Sequence, residues 1–208
     1  MKPLLSLLLL TICYSLNAQQ EDNFSSNASF SFSPQYMIKH GLKVSWEKKI
    51  NERQQWIRLA PQLYYDESHN LDYEKLMGWG IDIDHKIFLE SDASGLGSYF
   101  SYGATYQSYR LDYRIQDWVM MEEEGLTYHE YKQIMRTNKL RKTGPNLLFG
   151  YRWMPYHRLF IDFYIGAGLR ISFHSKGTED QRKFNDAMTD FGYSGTLFKG
   201  GIQFGVLF

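Results

Sequence analysis

Residues 196–208 alternate without a break: Phe198, Ile202, Phe204, Val206 and Phe208 fall on one parity, and Lys199, Gly201, Gln203 and Gly205 on the other. A period of two puts such sets on opposite faces of a strand. The pattern recurs along the chain between turn-like residues and predicts seven further strands. A first hairpin takes residues 28–38 and 42–48 around a tight connection at 39–41. Phe30, Phe32, Tyr36, Ile38, Leu42, Val44 and Trp46 share its apolar face, against Ser29, Ser31, Ser33, Gln35, Lys43, Ser45 and Glu47. The third strand, 55–65, points Ile57, Leu59, Leu63 and Tyr65 one way. The fourth, 77–89, sets Met77, Trp79, Ile81, Ile83, Ile87 and Leu89 against Gly78, Gly80, Asp82, Asp84 and Lys86. In the fifth, 97–113, the apolar parity shifts from Phe100, Tyr102, Ala104 and Tyr106 to Tyr109, Leu111 and Tyr113. One inserted residue flips every later side chain, so the shift predicts a bulge or an extension beyond the bilayer. The sixth, 140–154, carries Leu147, Phe149, Tyr151 and Trp153 opposite Asn146, Gly150 and Arg152. The seventh, 159–173, carries Ile161, Phe163, Ile165, Leu169 and Ile171 opposite Asp162, Tyr164, Gly166, Gly168 and Arg170.

Eight alternating strands with an apolar outer row and a polar inner row predict an all-β fold, an eight-stranded antiparallel up-and-down transmembrane β-barrel. Links at 51–53, 90–96 and 155–157 are short, whereas those at 66–76, 114–139 and 174–193 are long. Membrane barrels keep short turns inside and long loops outside, which orients the chain. Trp46, Trp153 and Tyr156 then belong to an inner aromatic girdle and Trp79, Tyr109 and Tyr113 to an outer one, where amphipathic rings meet the headgroups.

The first 18 residues have a basic start at Lys2, a run of Leu and Ile, and Leu16-Asn17-Ala18 before Gln19. This is the layout of a cleaved export signal, with one barrel domain at 19–208. Cys13 is the single cysteine, and Ile12 stands where a lipoprotein box needs a small residue. The exported chain therefore holds no disulfide and needs another closing device. Beyond Ala18 it carries 22 basic and 23 acidic residues, which argues against a nucleic-acid partner. It also lacks any run of about 20 apolar residues that could form a membrane helix.

On its closing strand and terminal Phe208, and on Ser-Pro-Gln-Tyr at 33–36 and Gly-Pro-Asn-Leu-Leu at 144–148, the chain resembles the small eight-stranded outer-membrane β-barrel proteins of Gram-negative bacteria. Those two stretches are similar to Bacteroidota members. The resemblance implies an outer-membrane location, outer-membrane lipid and lipopolysaccharide as surroundings, and insertion by the barrel assembly machinery, which reads the closing strand at Phe204, Val206 and Phe208. It implies no catalytic residue.

An eight-stranded interior is just wide enough for side chains to fill. The inward set includes Lys43, Glu47, Arg58, Asp82, Asp84, Lys86, Arg152, Asp162, Arg170 and Lys199. Charges of both signs in so narrow a space should pair, because an unpaired buried charge costs several kcal/mol. A plugged lumen is expected, with a conduit for small solutes or protons as the alternative. The segment 114–139, long enough for a short helix, offers Trp118, Tyr128 and Tyr131 to an envelope or extracellular protein. A lipid A or phospholipid acyl enzyme would need a rim nucleophile and base. His174 and Ser175 are the candidates, with Glu179 and Asp180 nearby, but adjacent strand residues diverge. Asp82 and Asp84 share a face while His85 points away, so no metal site or cofactor is expected. A soluble lipocalin-like barrel with the apolar row inside is the architectural rival, because parity alone does not say which face is interior.

Overall fold

The computed structural model describes residues 26–51, 54–67, 73–89, 95–123, 125–174 and 190–208. The export signal expected at 1–18 lies outside them. Eight strands run β1 (Ala28–Phe32), β2 (Gly41–Asn51), β3 (Gln55–Asp66), β4 (Lys75–Phe88), β5 (Gly97–Glu123), β6 (Leu126–Tyr156), β7 (Leu159–His174) and β8 (Gly195–Leu207). Each pairs antiparallel with the next, and β8 returns to β1 through Ser29↔Leu207, Phe30↔Val206, Ser31↔Gly205 and Phe32↔Phe204. The sheet is therefore a closed up-and-down barrel. We call the end carrying the β2–β3, β4–β5 and β6–β7 connections the turn end and the opposite one the loop end.

Closure settles which parity is inside. Odd positions on β3 and β4, such as Leu63 (61% exposed), Trp79 and Ile83, face outward, while Arg58, Gln62, Asp82, Asp84 and Lys86 are buried. Charges line the interior and aliphatic and aromatic side chains cover the exterior, the reverse of a soluble lipocalin-like barrel. The interior is not wholly polar. Trp56, Phe88, Tyr99, Leu148, Phe160, Tyr164 and Leu207 form an apolar layer toward the turn end. A second layer of Tyr64, Tyr73, Leu76, Tyr109, Leu111, Tyr113 and Leu140 lies toward the loop end. Two of the large rings sit where the neighbouring strand has no side chain. A Cβ on Gly150 would collide with the Tyr99 ring, and one on Gly205 with the Phe160 ring.

Three expectations need correction. First, β1 ends at Phe32, and residues 34–39 form a 3-10 helix instead of the second half of a strand. Pro34 cannot donate to a ladder, and its fixed φ suits the first helical position. The helix ends at His40 in the left-handed region, φ 53°, whose N–H bonds the Met37 carbonyl. Tyr36 consequently turns into the lumen mouth, where its hydroxyl accepts a hydrogen bond from Lys43 Nζ at 3.2 Å. Ile38 leaves the strand row.

Second, β5 has no bulge: it pairs with β4 without a break from Phe88↔Tyr99 to Lys75↔Asp112. Tyr109 and Tyr113 keep the inward parity and are buried, 5% and 0% exposed, so they belong to the loop-end layer and not to an outer girdle. Register shifts occur instead at Lys49/Asn51 and Trp153/Tyr156, both at the turn end. Third, 114–139 is neither a loop nor a helix. Strands β5 and β6 stay paired as far as Glu123↔Leu126 and project beyond the ring as a two-stranded arm.

Because β4 stops pairing at Asp112 and β7 at Leu140, the arm lies outside the hydrogen-bonded ring. Replacing 117–132 by Asn-Gly, a two-residue hairpin turn, joins Gln116 to its partner Gln133. The shortened protein is expected to keep the heat-modifiable gel mobility and urea midpoint of the parent. Loss of the folded band would show that the arm supports the ring.

Candidate functional site

All ten of the charged side chains expected in the lumen face it. They form tiers that follow from register. Nearest the turn end, Glu47 on β2, Lys86 on β4, Arg152 on β6 and Asp162 on β7 form a closed square. Lys86 Nζ lies 2.7 Å from Glu47 and 2.8 Å from Asp162. Arg152 Nη2 pairs with Glu47 and, at 3.1 Å, with Asp162. Only Arg152 and Asp162 are register partners. The Lys86 pairs and Arg152–Glu47 skip strands and so cross the tube. Tyr99 Oη donates to Asp162 at 2.5 Å, and Ser29 Oγ to Glu47 at 3.2 Å. The Arg152 guanidinium lies 4.3 Å from the centre of the Phe160 ring, and Lys86 Nζ 4.4 Å from that of Tyr99. Two cations and two carboxylates, with the added Tyr99 and Ser29 donors, offset the desolvation that an isolated charge would suffer.

One step toward the loop end, Arg58 and Asp84 are register partners and bond through Nε at 3.0 Å and Nη2 at 2.6 Å. Above them Lys43 Nζ reaches Asp82 at 2.6 Å, Lys199 Nζ lies 3.7 Å from the same carboxylate, and Thr105 donates to it at 2.5 Å. Arg170 has no carboxylate partner among the described residues. Its guanidinium bonds Asn146 Oδ1 at 2.5 Å, Thr105 Oγ1 at 3.1 Å and two backbone carbonyls. At the rim, Tyr73 donates to Asp66 at 3.0 Å, and burial, followed by that carboxylate, pushes its phenol up.

Above the square the tube widens into a cavity of about 380 Å³ lined by Tyr36, Tyr64, Tyr109 and Tyr164, by six basic residues (Lys39, Lys43, Arg58, Lys142, Arg170 and Lys199), and by two carboxylates, Asp82 and Asp190. Sequence reasoning passed over Lys142, although it shares the parity of Asn146 and Arg152. The inward apolar residues were passed over too: Phe88 shares the parity of Asp82, Asp84 and Lys86.

The other expected sites are spread apart. Trp118 and Tyr131 face each other across the arm with ring centroids 5.2 Å apart, and Tyr128 donates to Glu123 at 3.1 Å. Phe204, Val206 and Phe208 share the outer face of β8 at the seam, and the Phe208 carbonyl accepts the Ala28 N–H at 2.9 Å. His174 ends β7, while Ser175, Glu179 and Asp180 lie outside the described residues. Asp82 and Asp84 hold cationic side chains, and among the described residues no group of three or more His, Cys, Asp or Glu could hold a metal ion.

A closed eight-stranded barrel with an apolar exterior and a salt-bridged interior has the side-chain distribution of the transmembrane barrel class. No family model and no curated protein matches the chain. Among solved structures it is similar to Acinetobacter baumannii CarO, at 12% identity and a TM-score of 0.39 over 91% of this chain and 100% of that one. It is also similar to CarO2 of that organism, at 12% identity and a TM-score of 0.38 over 88% and 98%. Likeness at that level carries no role across.

The square predicts strong coupling. Arg152→Met leaves two carboxylates facing one cation and is expected to cost about 3–5 kcal/mol in urea unfolding. Arg152→Met with Glu47→Gln keeps the tier neutral and should recover much of that loss. Additive losses in the double variant would show that Glu47 and Arg152 do not depend on each other.

Proposed function

We propose that this chain is an outer-membrane β-barrel protein of a Gram-negative bacterium with a structural or surface-interaction role, its lumen sealed by paired charges and its arm available to a protein partner. The observation that carries the reading is the outward apolar surface: Leu63, Trp79, Phe149, Trp153, Ile165 (70% exposed) and Phe204 all point away from the barrel interior. So much apolar area is stable against hydrocarbon and a liability in water. Strand lengths agree, since β4 and β7 have 14 and 16 residues where about 9–11 are enough to cross. In this reading the surroundings are outer-membrane lipid and lipopolysaccharide, and the row Phe204, Val206 and Phe208 is what the barrel assembly machinery engages.

The sealed lumen is supported by the square and by the apolar layer of Trp56, Phe88, Tyr99 and Phe160 beside it. A surface role is supported by the arm, where Trp118, Met120, Leu126, Tyr131 and Met135 are exposed on a projecting hairpin. The reading gives no catalytic task to His174.

The protein is expected to pellet with outer membranes and to shift mobility on heating in detergent gels. A purified sample that stays monodisperse in plain buffer would falsify the membrane assignment. In planar bilayers only small, unstable currents are expected; a stable, high conductance overturns the sealed lumen in favour of a solute conduit. For the arm, Trp118→Ala with Tyr131→Ala is expected to abolish a crosslinked partner recovered by the parent, and unchanged recovery removes the binding role.

A further inference from the structure

The loop-end cavity is bounded on one side by a break in the barrel wall. Strand β1 stops at Phe32, opposite Phe204 of β8 and Val44 of β2. Residues 195–203 of β8 and 41–43 of β2 therefore have no strand between them, and the 3-10 helix Pro34–Lys39 fills the interval. The helix does so with side chains. Gln35 reaches inward to donate to Tyr164 Oη at 2.9 Å, and Tyr36 meets Lys43. Outward-facing groups reach the same cavity, whose lining includes Ile38 (82% exposed) and Phe198 (75% exposed) as well as Lys142, Arg170 and Lys199. The cavity thus joins the cationic lumen to the apolar outer surface.

Its charge is lopsided. The square is neutral, and Arg58 has Asp84. Above them Lys39, Lys43, Lys142, Arg170 and Lys199 share Asp82 and Asp190 among the lining residues. Arg58 is 1% exposed, lines the cavity, and has Nη1 without a hydrogen-bond partner among the described residues. Its charge is answered by Asp84 through Nε and Nη2, so what Nη1 adds is one buried N–H free for an acceptor on a guest, while the uncompensated charge comes from the lysines and Arg170. Volume agrees, since about 380 Å³ lies within the range of small-molecule sites.

We propose that this cavity binds an anionic single-chain amphiphile, its carboxylate or phosphate head among Lys142, Arg170 and Lys199 and its acyl chain leaving past Ile38 and Phe198 between β8 and the 3-10 helix. An anion without a chain would leave the apolar wall segment unused, and a chain without an anion would leave the cations unanswered. The chain's route rests on the membrane reading, whereas the head site does not.

The test is equilibrium partition of radiolabelled laurate onto the barrel in lipid nanodiscs, against empty discs. Lauryl phosphate, butyrate and laurylamine are run alongside. Laurate is expected to saturate at one per barrel, with lauryl phosphate competing, butyrate at least tenfold weaker and laurylamine absent. Lys142→Gln and Lys199→Gln are expected to weaken laurate at least fivefold each. Ile38→Asp, on an exposed helix position, should weaken laurate while leaving butyrate unchanged. Equal binding of laurylamine, or indifference to all three variants, overturns the site, and butyrate as tight as laurate overturns the chain route. Failure to enter nanodiscs removes the membrane reading, whereas a barrel that enters and ignores laurate removes this inference alone.

Discussion

A sheet that meets hydrocarbon can leave no backbone N–H or C=O without a partner, and a cylinder of eight strands meets that demand only if the last strand finds the first. Here the closing strand is the shortest in the ring: β1 has five residues and shares four pairs with β8. Those few bonds fix the strand number and with it the width of the tube. In its turn-end half a tube of that width leaves no room for water around Glu47, Lys86, Arg152 and Asp162, all fully buried, so their placement must bring opposite signs together. Lys86 reaches Glu47 and Asp162 because the wall is narrow enough for a lysine on β4 to touch β2 and β7. In a wider barrel the same residues would face solvent.

The same short strand explains why the two halves of the lumen differ. Where β1 is present, the interior is closed by the neutral square and by rings seated against Gly150 and Gly205. Where β1 is missing, side chains from a 3-10 helix stand in for a strand. They can span the interval but cannot supply a ladder. Among the described residues lining the cavity, cations outnumber carboxylates, at the level where it has access to the exterior. A local surplus of one sign is tolerable beside an opening, where solvent or a guest can answer it, and costly in the sealed half.

Strand number, pairing order and the identity of the lumen charges were legible in the sequence because each is a statement about parity, and parity survives errors in element ends. The fate of Tyr36, Tyr109 and Tyr113 was not. Each was assigned to the lipid side because its ring is apolar, yet parity already placed Tyr109 and Tyr113 with Thr105 and Gln107. Hydropathy misled there because a barrel interior near its mouth packs aromatic rings as readily as ions. Tyr36 failed for a local reason: Pro34 ends the ladder two residues earlier, so parity no longer applied. Lys142 was missed because it precedes Gly144-Pro145, where the apolar alternation of the sixth strand has not yet begun.

The arm shows the limit of reading loops from length. A 26-residue segment with no Gly, Pro, Asn or Ser in its first ten positions offers little to stop β5. A free two-stranded ribbon is marginal in water, so this one needs its cross-strand pairs. Trp118 against Tyr131 and the Asp117–Arg136 ion pair supply two of them, and Arg114 is anchored back to Glu74 at 2.6 Å. Among the described residues its two outer edges have no strand partner, and Glu122, Glu123, Glu130 and Lys132 place charges on the ribbon, the common defence against indiscriminate strand addition. With exposed rings on its faces and charges along its length, the ribbon discourages further strand addition.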